Sequence, residues 1–204
     1  MRRVIKPFLF VAALVPVAWL AWGLLEGTLG ANPAETIQLQ TGRWALKFLL
    51  ITLAVTPVRR LTGWNVVIQY RRMLGLFAFF YACLHFTSYI VLDQFFDWNA
   101  ILRDIPKRPF ILMGVLTFLL LVPLAITSTK GWIRRLGRRW QSLHRLIYIA
   151  AFCAIVHFAW KVKVISGDPV IYAIILAALL GFRALWFVRK RFERSRRAVP
   201  QSAT

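Results

Sequence analysis

Acidic residues are scarce in this chain of 204 residues: seven Asp and Glu stand against 27 Lys and Arg. Six of the seven (Glu26, Glu35, Asp93, Asp97, Asp104 and Asp168) lie between long apolar runs, and none lies inside one. Ion-coupled transport usually draws on acidic groups at mid-membrane, so this distribution argues against it. Cysteine is limited to Cys83 and Cys153, both within apolar runs. They read as small buried hydrophobes and are silent on redox compartment. There is no Gly-rich dinucleotide fingerprint, no Ser/His/Asp set and no zinc-ligand spacing. The sequence therefore shows no site for substrate chemistry of its own. No internal repeat of useful length stands out either.

What is present is apolar length. Hydrophobic residues make up 59% of the chain. A spanning helix needs about 20 mostly apolar residues, and six windows qualify: 7–25, 44–61, 70–92, 109–127, 142–164 and 169–188. The expected fold is all-α, a single polytopic domain of six transmembrane helices over 1–204. The first window is read as an uncleaved helix rather than a signal peptide, because its core is too long. The net charge of +20 would suggest nucleic acid in a soluble protein. Here the basic residues cluster at the N-terminus, at 59–72, at 130–145 and in the tail. All four lie on one side of a six-span protein, so that side, with both termini, is cytoplasmic by the positive-inside rule. Anionic lipid or an acidic cytoplasmic partner is a secondary use of that charge; nucleic acid is not expected. Residues 189–204 form a basic tail of low apolar content, expected to be disordered. The outer loop 93–108 mixes charges with Phe95, Phe96 and Trp98, as an interfacial stretch or a docking surface does.

The third window carries a pattern. Arg71, Gly75, Ala78, Ala82 and His85 follow at steps of four, three, four and three, which places them on one helix face. The face has a cation at one end, a His at the other and only small residues between. Small residues alone serve ordinary helix contacts. Together with the His they leave room for something large and flat.

All three histidines fall in two windows: His85 in the third, His144 and His157 in the fifth. Ionisable residues inside spans are rare and usually functional, and imidazole is a common axial ligand of haem iron. Two crossings separate the windows, so these helices run parallel. His85 follows Arg71 by 14 residues and His157 follows His144 by 13, each a rise of about 20 Å. His85 and His157 thus share an outer level; Arg71 and His144 share an inner one. The outer pair suits a bis-His haem. The inner level holds either His144 with a non-His partner or no haem, since Arg more often pairs a propionate than a metal. Thirteen residues also turn His157 away from the face of His144 unless a local bulge intervenes. Covalent haem is excluded by the lack of C-x-x-C-H. The rival reading is a transporter or assembly scaffold whose His residues form a polar packing cluster.

Six helices, ligands on the third and fifth, and His–x12–His on the fifth resemble the ferric-reductase-like transmembrane domain, shared with NADPH oxidases and ferric reductases. R-R-M-L-G-L and A-C-L-H on the third helix and L-H-R-L-I-Y on the fifth resemble its short form, the MsrQ (YedZ) family, over nearly the whole chain. Longer members usually carry two His on each ligand helix and an appended flavin domain. This chain lacks that domain and has Arg71 in place of the first His. The resemblance implies a b-type haem protein of the bacterial inner membrane, with one or two haems. His85 and His157 match the outer iron ligands; His144, with Arg71 as possible partner, matches the inner site. It further implies electrons from the quinol pool or a cytosolic flavin reductase, passed to a periplasmic molybdopterin subunit of the MsrP type that reduces methionine sulfoxide. FMN is associated with the family, and no motif here places it.

Overall fold

The computed structural model describes residues 2–162 and 167–197. Among them the chain is helical throughout, without strands. The elements are α1 (Arg2–Leu25), α2 (Pro33–Thr62), α3 (Arg71–Ser88), α4 (Trp98–Lys107), α5 (Pro109–Ile126), α6 (Lys130–Leu136), α7 (Arg138–Leu143), α8 (Leu146–Lys161) and α9 (Asp168–Arg197). A 3-10 turn, Asn65–Tyr70, leads into α3, and a π-helical turn, Tyr89–Asp93, continues it.

Local chemistry sets these boundaries. Asn32 caps α2 by accepting the Glu35 N–H at 3.1 Å, with Pro33 at the first helical position, where its missing N–H costs nothing. Gly63 ends the same helix in the left-handed region at φ 73°, its N–H donating to the Arg59 carbonyl. Asp97 caps α4 by accepting the Ala100 N–H at 2.9 Å.

Five helices are long and apolar enough to cross a membrane: Ile5–Leu25, Asn65–Asp93, Pro109–Ile126, Arg138–Lys161 and Asp168–Glu193. The chain is a multi-pass membrane protein. The sixth expected window, 44–61, lies within α2, which does not meet the same standard. Its 30 residues include Arg43, Lys47, Arg59 and Arg60. The physical reason is placement. Alpha-2 packs along α3 and also meets α1, α8 and α9, so protein rather than lipid covers much of it.

The core forms where α2 meets α3. Phe48 stacks on Tyr81 with ring centroids 5.4 Å apart and on Phe77 at 5.6 Å. Tyr81 is fully buried, and its hydroxyl donates to the Ala13 carbonyl at 2.7 Å, tying α1 to α3. Pro57 lies inside α2 and has no N–H for the Leu53 carbonyl one turn earlier. Arg183 of α9 supplies the missing donor, Nη2 to Leu53 O at 2.7 Å. One side chain thus compensates a helix defect and fastens α9.

Several expectations need correction. Residues 128–141, expected as a loop between the fourth and fifth spans, wind into α6 and most of α7, with Thr129 capping α6. The loop 93–108 contains α4. The tail is helical to Arg197, supported by an Arg189–Glu193 pair at 3.0 Å one turn apart; residues 198–204 lie outside the described set. His144 occupies a two-residue turn between α7 and α8, not the start of a continuous helix.

Tyr81→Phe removes the side-chain donor to Ala13 O from a buried core. We expect a loss of about 1 kcal/mol, read as a lower midpoint of thermal unfolding in detergent, with the helical circular dichroism of the folded state unchanged. An unaltered midpoint would show that this bond does not hold α1.

Candidate functional site

A cavity opens between α2, α3, α5 and α8, and His85 and His157 face it from opposite walls. Their ring centroids lie 5.9 Å apart, with the planes crossed at 75°. Both rings are held in the same way. His85 Nδ1 is 2.8 Å from the Gln38 carbonyl, and His157 Nδ1 is 2.6 Å from the Phe110 carbonyl. A carbonyl only accepts, so each Nδ1 carries the proton and donates it. Each Nε2 is then left with its lone pair, unclaimed by any hydrogen bond among the described residues, which is the tautomer a metal ligand needs.

Reaching a helix carbonyl requires the facing helix to lack a side chain there. On α2 that position is Gly42, one turn after Gln38. A Cβ built there would lie 3.0 Å from His85 Cε1 and Nδ1. On α5 it is Gly114, one turn after Phe110, where a Cβ would come to 2.8 Å from His157 Nδ1. Both distances are shorter than carbon normally tolerates.

The two seats are copies. Gln38 and Phe110, Gly42 and Gly114, and His85 and His157 are each separated by 72 residues. The same offset relates Ala82 to Ala154, Phe86 to Phe158 and Leu49 to Leu121, all of which line the cavity. Helix pair α2–α3 and helix pair α5–α8 are therefore two versions of one unit. This corrects the expectation that the chain has no internal repeat. The signal was available: A-x-F-x-A-x-x-H-F occurs at 78–86 and again at 150–158. Substitutions at the intervening positions mask it.

The lining changes character with depth. Leu46, Leu49, Phe118 and Leu121 form its inner end. Arg43, Asp93, Arg108 and Lys161 stand at the other end. The lining is thus apolar at one end and ionic at the other.

The rest of the stripe on α3 divides. Ala82 and His85 line the cavity. Gly75 faces Thr52 of α2, whose methyl would be 3.6 Å from an added Cβ, and Ala78 is buried in the hydrophobic core. These two small residues serve helix packing, which corrects the expectation that the whole stripe faces a cofactor. Arg71 and His144 do not reach this cavity. They lie at the inner level within electrostatic range of one another. His144 stacks on Trp140 at 3.9 Å, with Nδ1 3.2 Å from the Trp140 carbonyl, and its Nε2 is buried without a partner. The turn at His144 also resolves the spacing problem, because no unbroken helix connects it to His157. Gln38, Gly42, Phe110, Gly114, Tyr89 and Lys161 are site residues that the pattern of histidines did not reveal.

Residues 41–155 match the family model described as the ferric reductase like transmembrane component. A relative from Herminiimonas arsenicoxydans is 54% identical over 191 residues, covering 92% of this chain and 87% of its own length. Another from Rhodospirillum rubrum is 52% identical, covering 89% and 88%, and one from Xanthomonas oryzae is 49% identical, covering 98% and 95%. Each carries the name protein-methionine-sulfoxide reductase heme-binding subunit MsrQ. No solved structure matches the chain. The fold, the repeated His seats and these relatives agree: the chain belongs to the MsrQ family of ferric-reductase-like transmembrane proteins.

Proposed function

We propose that the chain is a haem b subunit that carries electrons across the bacterial inner membrane to a separate reductase on the outer side. The observation that carries this reading is the His85–His157 pair, two free Nε2 atoms facing one cavity from mirrored seats. The residues fit the group. Two His–metal bonds of about 2 Å would put opposed imidazole centroids about 6 Å apart, and 5.9 Å is found. The cavity's apolar depth and ionic mouth suit a macrocycle with hydrocarbon on one edge and carboxylates on the other. His85 and His157 would hold the iron of a bound haem from the two walls of the cavity. Bound haem supplies one-electron transfer by cycling between ferric and ferrous iron.

The chain's own residues do the rest. His85 and His157 ligate and fix orientation. The Gln38 and Phe110 carbonyls hold the Nδ1 protons, which keeps the tautomer and raises ligand basicity. Leu46, Leu49, Phe118 and Leu121 exclude water from the inner edge. At the inner level, the orphaned Nε2 of His144 supports a second ligand position, with Arg71 its nearby partner.

Alpha-2 is the sixth crossing in this reading, since it packs along α3 and continues to Thr62, at the 3-10 turn before α3. Both termini are then cytoplasmic, with the basic segments 59–72 and 130–145 beside them. Electrons enter there from the quinol pool or a flavin reductase and leave near His85 and His157. The relatives' name speaks of a protein-methionine-sulfoxide reductase, and in this reading the acceptor is its catalytic subunit, a periplasmic MsrP-type molybdopterin reductase that repairs oxidised methionine.

Purified protein from haem-replete cells is expected to show a b-type reduced-minus-oxidised spectrum. His85→Ala and His157→Ala should each abolish the same centre. Full retention of haem by either folded variant would overturn the pairing.

The glycine seats give an independent check. Gly42→Ala and Gly114→Ala each force an imidazole off its carbonyl, at a cost of about 1–3 kcal/mol. Haem per protein should fall several-fold in both, measured as the pyridine haemochrome. Gly75→Ala, whose new methyl meets only an ordinary contact, should leave it unchanged. Equal losses in all three would mean general helix disruption instead.

Docking is assigned to the outer segment 93–108. Its acidic residues already have structural work: Asp93 lines the cavity, Asp97 caps α4 and Asp104 pairs with Arg108 at 3.4 Å. The exposed Arg103 and Lys107 are the cleaner probes. Reversing both to Glu should change the rate of electron transfer to the reductase most at low salt, with haem content constant. A rate indifferent to these changes at every ionic strength would place docking elsewhere.

A further inference from the structure

The rim of the cavity breaks the symmetry its walls obey. At the 72-residue offset, Val115 stands where Arg43 does, and Lys161 stands where Tyr89 does. Tyr89 opens the π-helical turn after α3 and is 8% exposed. It lines the cavity, yet its hydroxyl is buried with no hydrogen-bond partner among the described residues. Leaving such a bond unmade carries the full desolvation penalty of the group, so a buried phenol is normally matched to an acceptor.

Its neighbours show the same need. Arg43 gives Nη2 to Asp168 at 3.2 Å, while its Nε is buried without a partner among the described residues. Arg108 is engaged through its own Nε with Asp104. Lys161 makes no ion pair among the described residues, and its ammonium lies 5.7 Å from the centroid of the Phe110 ring. Asp93 is the one acidic side chain in the lining. Tyr89 Oη and Arg43 Nε are donors buried without a partner among the described residues, and the exposed Lys161 adds a free ammonium to them. They come from both halves of the repeat and gather at one end of the cavity.

We propose that Tyr89 and Lys161 each bind one of the two propionate carboxylates of the haem, with Arg43 Nε as a third donor, so that the propionate edge faces the outer mouth. This rests on the haem assignment above. Both propionates of haem b lie on one edge, related by the near-mirror axis of the macrocycle. A cavity with repeated walls offers equivalent positions to those two groups, and here the equivalent positions are Tyr89 and Lys161. Because one is a neutral phenol and the other an ammonium, the two carboxylates are held unequally, with the stronger, charge-assisted bond on the α8 side.

The test compares haem b with its dimethyl ester, which keeps iron and ring but lacks both carboxylates. Each is titrated into haem-depleted full-length protein in detergent. With haem b, Lys161→Met should weaken binding about tenfold or more and Tyr89→Phe several-fold, while Lys161→Arg stays near the parent. With the ester, the parent binds more weakly and Lys161→Met and Tyr89→Phe cause no further loss, because the interaction they remove is already absent. Equal weakening of both ligands by the variants would make these residues structural and overturn the proposal, as would no weakening of either. A parent protein that takes up neither form contradicts the haem assignment itself.

Discussion

The cavity between the two helix pairs depends on one contact, made twice: an imidazole N–H donated to a helix carbonyl. That carbonyl belongs to a turn already inside a helix, so the ring must approach from the side and use the second lone pair. Only a glycine one turn on leaves space for it. The contact fixes three things together. It sets which nitrogen carries the proton, it orients the ring, and it holds α2 against α3 and α5 against α8 at a distance the glycine allows. In the proposed reading these imidazoles would be set as ligands before the haem arrives, and little reorganisation would remain for iron to impose.

Repetition extends that contact into a site. Two helix pairs, offset by 72 residues, supply equivalent walls, so a planar guest meets similar apolar surface on both faces. Function enters where the copies diverge. At the mouth, Arg43 and Lys161 have no cationic counterparts at Val115 and Tyr89. At the inner level, the offset sets Arg72 against His144 and Arg71 against Leu143, and the turn between α7 and α8 has no equivalent before α3. The inner level is therefore not a second copy of the outer one. A cofactor there would be held by residues of a different kind.

Much of this was legible in the sequence for definite reasons. Long apolar runs mark helices because an unsatisfied backbone cannot exist in hydrocarbon. The shared level of His85 and His157 followed from two parallel helices with the same rise per residue. What stayed hidden was contact between a side chain and a backbone, since any residue can present a carbonyl. Gln38 and Phe110 have nothing in common except position. Gly42 and Gly114 were the only trace, and single glycines are too common to be read alone. Gly75 misled for the complementary reason: a small residue on a helix face looks the same whether it admits a cofactor or a neighbouring Thr52. The basic segments 128–141 and 189–197 read as loop and tail because charge suggested solvent, whereas capping at Thr129 and the Arg189–Glu193 pair sustain helices there.

The central claim is that one iron is held between His85 and His157 with their planes crossed. Low-temperature electron paramagnetic resonance of the oxidised His144→Ala protein tests it most directly, because that variant removes the only other histidine. Two imidazoles crossed at 75° predict a low-spin ferric signal of large anisotropy, lost in His85→Ala and in His157→Ala alike. A high-spin ferric signal in the His144→Ala protein, or a low-spin signal that survives removal of either outer histidine, would contradict it.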